Sequence, residues 1–220
     1  MIQNKPHKTA RARHYWALTV ALVAISIDFL LIHYKFTFFH FYRIVFTTLA
    51  ICLLTRVIYK GQNKSTGLTL HFNKGLRYWL KATLIFVFCD AGLMAIFFLA
   101  TLKSNGDYSG MDPADLYKTI PKFCLYHSLQ EELLYRLLLC IPLVGLVGRW
   151  WAIVVSSILF AVVHIMYGAG IFTILQSFAF GGLFAWAFIY SGSILVTLAW
   201  HSLSNLFAIG FSVMRWYLMN

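Results

Sequence analysis

The chain has 220 residues, of which 60% are apolar and only 11% are charged, and its formal net charge is +11. A soluble domain usually carries about 25% charged residues, so this composition excludes a globule that covers itself with polar surface in water. The basic residues gather at the ends of apolar segments and form no continuous stripe. This distribution excludes a nucleic-acid-binding surface despite the positive charge, so no nucleic-acid partner is expected.

Apolar segments of roughly 20 residues, the length that crosses the hydrocarbon core as a helix, follow one another along the chain. They are predicted at 15–34, 38–59, 79–102, 123–147, 150–167, 171–190 and 194–215. The chain is therefore predicted to be an all-α, polytopic transmembrane bundle of about seven spans. A basic tail at 1–14 precedes a single membrane domain at 15–220. The first apolar segment lacks a small-residue cleavage site and is predicted to be a retained helix.

Lysine and arginine are distributed unequally between the two sets of predicted connections. If the N-terminus is inside, that side holds the basic tail, the basic segment 60–78 and Arg149, whereas the other side holds fewer basic residues. Because cytoplasmic loops carry the excess of lysine and arginine, this distribution predicts a cytoplasmic N-terminus. We expect an integral protein of a bacterial or archaeal cytoplasmic membrane, with the lipid bilayer as its surroundings.

Four charged residues in the N-terminal half lie within or near the ends of the predicted spans. A charged side chain at the bilayer centre costs at least ~2.5–3.5 kcal/mol on insertion scales, so each of them needs a compensating partner. Asp28 and Asp90 are expected to pair across helices with the arginines Arg43 and Arg56. We interpret these four residues as structural.

The predicted span YHSLQEELLYRLLLCIPLVG contains the only two glutamates of the chain, Glu131 and Glu132. Adjacent helical residues point about 100° apart, so the two carboxylates can do different work. Glu132 and Arg136 are spaced i, i+4 and share one helix face, in the order that favours an ion pair. Glu131 then lies on a neighbouring face, where it can meet another helix.

Two later apolar segments each contain a histidine. His164 lies in SSILFAVVHIMYG, and His201 lies in LVTLAWHSLSNLF, with Asn205 one turn later on the same face. A single histidine in a membrane helix is more often a packing residue than a catalyst. Together with the glutamate pair, however, imidazole and carboxamide groups can take up a proton, orient a water molecule and stabilise an oxyanion.

Three motifs therefore follow one another on separate predicted helices: EExxxR at 131–136, FxxxH at 160–164 and HxxxN at 201–205. In this combination and order the sequence resembles the CPBP intramembrane protease family, which includes the Rce1-type CaaX prenyl endopeptidases and the Abi proteins. The resemblance covers roughly residues 120–210. It implies hydrolysis of a peptide bond in a membrane-tethered protein or peptide substrate, within or at the edge of the bilayer.

The resemblance also implies a role for each motif residue. Glu131 and His164 would activate the attacking water, whereas His201 and Asn205 would stabilise the oxyanion of the tetrahedral intermediate. The remaining motif residues would hold the site in shape: Glu132, Arg136 and Phe160.

A metal-independent mechanism is favoured, because the zinc motif HExxH is absent and the candidate ligands come from three helices. Zinc stays possible, and its ligands would be Glu131, His164 and His201. Two other functions use the same residues without proteolysis. In one, His164 and His201 ligate haem in an electron carrier; in the other, the buried carboxylates serve a transporter or proton relay.

The depth of the three catalytic candidates in the bilayer raises a geometric question. Glu131 and His164 are expected near the outer side, whereas His201 would lie roughly 10 Å above the inner face at 1.5 Å per residue. They can meet if the last helix begins deep, at the Ser191–Ser193 break, or if residues 168–170 start a broken segment. Either arrangement predicts a polar cavity, since irregular backbone at depth is tolerated where it lines one. With the N-terminus inside, that cavity would open towards the extracytoplasmic side.

Overall fold

The computed structural model describes residues 8–34, 39–59, 72–102 and 112–219 of the chain. Within these ranges every regular element is a helix, which confirms the predicted all-α bundle. Three long helices form its first half: Lys8–His33 (α1), Phe39–Tyr59 (α2) and Leu76–Leu102 (α3). The predicted boundary of the basic tail at residue 14 therefore falls inside α1.

The next helical segment is continuous from 113 to 147, and we call it the fourth rod. Its helical type changes along its length. It begins with a 3₁₀ turn, Pro113–Asp115, which Asp112 caps by accepting a hydrogen bond from the Ala114 amide at 2.8 Å. Its further parts are Leu116–Ile120 (α4), a π-helical stretch Pro121–His127, Ser128–Glu132 (α5), a second π-helical stretch Leu133–Cys140, and Ile141–Val147 (α6).

Proline commonly breaks a helix, but Pro121 lies inside the fourth rod, at the start of the first π-helical stretch. A proline within a helix removes one backbone donor, and the wider π turn accommodates it. Short π-helical stretches inside α-helices occur frequently at functional sites. Here both of them flank the short helix α5, which carries the two glutamates.

Three long helices complete the bundle: Arg149–Met166 (α7), Ile171–Ser191 (α8) and Ile194–Met219 (α9). Among the described residues, five helices are long and apolar enough to cross a membrane: Arg11–His33, Leu76–Ile96, Arg149–Met166, Ile171–Ser191 and Ile194–Leu218. A shorter apolar stretch, Tyr42–Leu53, lies in α2. Together with the fourth rod, these elements correspond to the predicted arrangement of about seven spans.

The turn between α8 and α9 is buried within the bundle. Ser191 and Ser193 are both 0% exposed, and Gly192 adopts a left-handed conformation with φ of 71°. The Asn73 amide, just before α3, donates to the Ser191 carbonyl at 2.8 Å and so covers this turn. The last helix thus begins inside the protein, and α8 is one continuous helix rather than a broken segment after residue 170.

Aromatic packing joins α3, α8 and α9. Phe86 and Trp200 stack with ring centroids 4.5 Å apart, and Phe86 also contacts Phe184 at 6.1 Å. The Trp200 indole nitrogen donates to the Thr83 hydroxyl at 2.8 Å. This cluster fixes the face of α9 that carries His201.

Candidate active site

The centre of the site is a charged network that is closed to solvent. Glu132 and Arg136 are both 0% exposed, and Arg136 Nε donates to Glu132 Oε2 at 3.1 Å. A second guanidinium nitrogen, Nη1, donates to the Ser156 hydroxyl on α7 at 2.7 Å. That hydroxyl in turn donates to the carbonyl of Tyr135, in the second π-helical stretch, at 3.2 Å.

The other oxygen of Glu132 fixes the ring of His201. Nδ1 of His201 lies 2.9 Å from Glu132 Oε1, the distance of a charge-assisted hydrogen bond. Because the carboxylate only accepts, Nδ1 carries the proton, and Nε2 is left for the site. Nε2 lies 3.7 Å from Oε2 of Glu131, which is 5% exposed. Glu131 and His201 are thus close enough to bind one water molecule between them.

The Phe160 ring packs against both His164 and His201. The centroid of this ring is 4.9 Å from that of His164 and 5.6 Å from that of His201. His164 Nδ1 lies 2.8 Å from the Phe160 carbonyl and donates to it, which leaves Nε2 unprotonated and able to accept a proton. Among the described residues, no hydrogen bond or ion pair joins His164 to Glu131.

A cavity of about 250 Å³ lies between α3, α7, α8 and α9. Both histidines line it, together with Asn205 and the aromatic rings of Phe160 and Phe184. The fold therefore brings His164 and His201 to one concave surface, although they lie 37 residues apart in the sequence. Polar side chains from α8 and α9 share the lining: Thr173, Gln176, Ser177 and Ser204.

Asn205 lines the cavity, but its amide nitrogen already has two acceptors. It donates to the Phe123 carbonyl at 2.9 Å and to the Ser128 hydroxyl at 3.0 Å. Ser128 donates to the same carbonyl at 3.0 Å. The carbonyl belongs to the first π-helical stretch, so this irregular backbone binds the HxxxN motif to the fourth rod.

Two of these contacts involve residues that the sequence did not single out. Ser156 binds Arg136, and Ser128 binds Asn205, yet in the sequence both look like small packing residues. The only available signal was that a buried arginine with five donors needs more acceptors than one glutamate provides.

The buried ion pair between α1 and α2 agrees with its prediction. Arg43 binds Asp28 with two nitrogens, of which Nη2 lies 3.0 Å from Asp28 Oδ2, and both residues are buried. The charge of Arg43 also acts on Tyr167, after α7, and on Glu131. The first two helices therefore contribute to the electrostatic surroundings of the site. The side chain of Arg56 lies outside the described residues.

The residues named for zinc do not fit a metal site in this arrangement. A catalytic zinc needs three ligand atoms at about 2.0–2.2 Å from one point. Within the described ranges, no group of three or more His, Cys, Asp and Glu side chains could hold a metal ion. His201 is instead bound to Glu132 through Nδ1, and the rings of both histidines pack against Phe160.

Comparison with known proteins shows that the segment carrying the site is similar to one family. Residues 114–207 match the sequence model of the family described as type II CAAX prenyl endopeptidase Rce1-like. All three motifs lie inside the match, which confirms the resemblance found in the sequence. No curated protein and no solved structure matches the chain. Together with the five helices that can cross a membrane, the match identifies an integral membrane protein with a protease-like segment.

Proposed function

We propose that this Rce1-like membrane protein is an intramembrane endopeptidase that cleaves a peptide bond in a membrane-tethered or C-terminal segment of a protein substrate. The observation that carries the proposal is that the two glutamates have different partners. Glu132 is neutralised by Arg136 and binds His201, whereas Glu131 faces the open nitrogen of His201. A carboxylate beside an oriented imidazole is suited to general base catalysis on water.

In the proposed reaction, Glu131 accepts a proton from the water molecule while the water oxygen attacks the scissile carbonyl carbon. His164 assists from its own side of the cavity, since its Nε2 can accept a hydrogen bond from the same water. The negative charge that develops on the carbonyl oxygen is stabilised by a hydrogen bond from Asn205 and, when His201 carries a proton on Nε2 as well as on Nδ1, by a second one from that nitrogen. Collapse of the intermediate breaks the C–N bond, and the proton held by the site passes to the leaving amine.

The oxyanion role requires Asn205 to exchange one of its present hydrogen bonds. Both amide hydrogens are directed to Phe123 and Ser128, so one must turn to the substrate oxygen in the transition state. A donor whose hydrogen bond strengthens only in the transition state raises kcat rather than substrate affinity. We therefore propose that the contact with Ser128 holds Asn205 ready at the edge of the cavity.

The substrate class follows from the matched family and from the position of the site. The family description names CAAX prenyl endopeptidases, so we propose a lipid-anchored C-terminal segment as the first substrate to test. The site lies among apolar helices, where such a segment can enter from the bilayer. A haem protein leaves unexplained why both nitrogens of His201 face carboxylates, and a proton relay leaves unexplained the match to an endopeptidase family.

The orientation in the membrane completes the proposal. His14 of α1 packs against Gly145 near the end of the fourth rod, whereas His164 lies near the far end of α7. The site is therefore displaced towards the end of the bundle opposite the N-terminus. With the N-terminus in the cytoplasm, as the basic residues predict, the cavity would open on the extracytoplasmic side of a bacterial or archaeal membrane.

The decisive experiment compares wild type with Glu131→Gln in proteoliposomes that contain a farnesylated C-terminal peptide or a co-reconstituted membrane-anchored protein. We expect Glu131→Gln to abolish the cleaved product in mass spectrometry while the thermal unfolding midpoint stays near that of wild type. Asp115→Asn, an exposed change far from the motifs, serves as the matched control. Cleavage by Glu131→Gln at the wild-type rate contradicts the proposal, and a haem absorbance spectrum or Glu131-dependent uptake without product favours the alternatives.

A further inference from the structure

Asp90, in the middle of α3, is a buried carboxyl group that the proposed reaction does not use. It is 1% exposed and lies outside the segment that matches the family. Its one hydrogen bond comes from the hydroxyl of Ser204 on α9, which lies 3.5 Å from Oδ1. The second oxygen, Oδ2, has no hydrogen-bond partner among the described residues.

The surroundings of Asp90 differ from those of the other buried aspartate. Asp28 is bound by two nitrogens of Arg43, so its charge is compensated within the protein. In the described parts of the chain, Asp90 forms no ion pair with an arginine, lysine or histidine. Carboxyl groups within membrane helices are costly, and they are retained mainly where they serve a functional site. Among the described residues, therefore, no ion pair between helices accounts for Asp90.

Ser204 connects Asp90 to the cavity beside the two histidines. It lines the cavity, lies next to Asn205 and follows His201 by three residues on the same helix face. Met94, one turn after Asp90 on α3, lines the same cavity. The face of α3 that carries Asp90 is thus turned towards the cavity, and Ser204 lies between the carboxyl group and that space.

Hydrogen bonding to Asp90 determines what Ser204 can offer to a ligand. A hydroxyl has one hydrogen to donate and two lone pairs that accept. Because the hydrogen is directed to Asp90, the oxygen lone pairs remain available to the cavity. Without Asp90, the serine hydroxyl could instead donate to a carbonyl one turn back in its own helix, as serines in helices commonly do. The aspartate therefore keeps Ser204 as an acceptor.

We propose that Ser204 accepts a hydrogen bond from a backbone N–H of the peptide substrate and that Asp90 is the residue that positions it. An extended peptide bound among membrane helices needs acceptors for its backbone amides, because an unpaired N–H in an apolar site is costly. Ser204 supplies one such acceptor a single helical turn from His201. The inference rests on the proposed function, since it assigns the cavity to the substrate of that reaction.

The test measures KM and kcat of four variants with the farnesylated peptide in proteoliposomes. Ser204→Ala and Asp90→Leu should each raise KM about five- to ten-fold, the effect of one lost hydrogen bond, with kcat within about two-fold of wild type. Asp90→Asn should stay near wild type, because its amide oxygen still accepts from Ser204. The double variant Asp90→Leu/Ser204→Ala should be no worse than Ser204→Ala alone.

Thr83→Val is the matched control for the packing of α3 against α9. It removes the hydrogen bond from the Trp200 indole, two turns before Asp90, and leaves the cavity unchanged. We expect a lower unfolding midpoint with an unchanged KM, which separates loosened packing from loss of the substrate contact. If Asp90→Leu does not fold, Ser204→Ala and Asp90→Asn still decide.

An unchanged KM in Ser204→Ala, or additive effects in the double variant, would overturn the inference while leaving the proposed function intact. If wild type itself forms no product from any membrane substrate, the proposed function fails, and the role of Ser204 fails with it.

Discussion

Glu131 and Glu132 are neighbours in the sequence, but the regions around their carboxylates differ. Glu132 is fully buried and binds Arg136 with one oxygen and His201 with the other. Among the described residues, Glu131 has one ion-pair contact, with His201 Nε2 at 3.7 Å, and the charge of Arg43 acts on it without an ion-pair contact. The region around Glu132 is saturated with partners, and the region around Glu131 is sparsely partnered.

The difference separates the residues that hold the site from those that can react in it. A carboxylate whose lone pairs are already bound by an arginine and an imidazole is a poor base, because taking up a proton would break those bonds. A carboxylate with one distant neighbour can bind water and accept a proton without loss of structure. Removal of the first should therefore affect stability, and removal of the second should affect activity.

The largest expected effect is loss of the guanidinium that neutralises Glu132. Arg136→Leu leaves Glu132 buried with His201 as its remaining partner, and breaking a buried ion pair in this way costs about 3–5 kcal/mol. Glu131→Gln should change the free energy of unfolding by about 1 kcal/mol or less, since it breaks no close hydrogen bond. Thermal or denaturant unfolding in detergent measures both variants.

The contrast between the two glutamates is wrong if Arg136→Leu and Glu131→Gln lose similar stability. Equal losses would mean that Glu131 is also structural, and the division of work between the glutamates would be wrong. A stable Arg136→Leu protein would contradict the saturated network directly. Arg136→Lys is a useful intermediate, because it keeps the charge but cannot bind Glu132 and Ser156 with two nitrogens.

The next effect concerns Ser156, the acceptor on α7 that Arg136 uses. Ser156→Ala leaves one buried guanidinium hydrogen without an acceptor and should cost about 1–3 kcal/mol. Ser157→Ala, at the adjacent position, is the natural control because its hydroxyl donates to the Phe178 carbonyl and not to the charged network. If Ser156→Ala also lowers activity while Ser157→Ala does not, the orientation of Arg136 matters for the reaction as well as for folding.

The sequence predicted contacts within single helices better than contacts between them. The i, i+4 spacing correctly predicted the pair of Glu132 and Arg136, because helical geometry fixes which residues share a face. The free-energy cost of a charged side chain in the bilayer likewise predicted that Asp28 pairs with Arg43. In both cases a local rule or an energetic need was sufficient.

Contacts that depend on irregular backbone could not be predicted in this way. The carbonyl of Phe123 binds both Asn205 and Ser128 because it lies in a π-helical stretch, and no residue type marks such a stretch reliably. Proline commonly breaks a helix, yet Pro121 begins such a stretch inside one. The motif spacing indicated that Asn205 belongs to the site, but the present partners of its amide came only from the structure.

The smallest expected effect sharpens the comparison at Phe160, the ring that contacts both histidines. A Cβ atom at Gly181 would lie 3.1 Å from Phe160 Cδ1 and 3.2 Å from the Cα atom of Ser157. A Cβ atom at Gly182 would have its nearest contact at 3.5 Å, with Ser157 Oγ.

The two glycines should therefore respond differently to alanine. Gly182→Ala should stabilise the helix by about 0.5–1 kcal/mol, the usual gain over glycine. Gly181→Ala should lose that gain to overpacking, which costs typically about 1–3 kcal/mol, and it should shift Phe160. We expect reduced turnover for Gly181→Ala but not for Gly182→Ala. Turnover and the thermal unfolding midpoint are measured for both variants. Equal activity of the two alanine variants would show that the position of Phe160 does not control the spacing of the histidines.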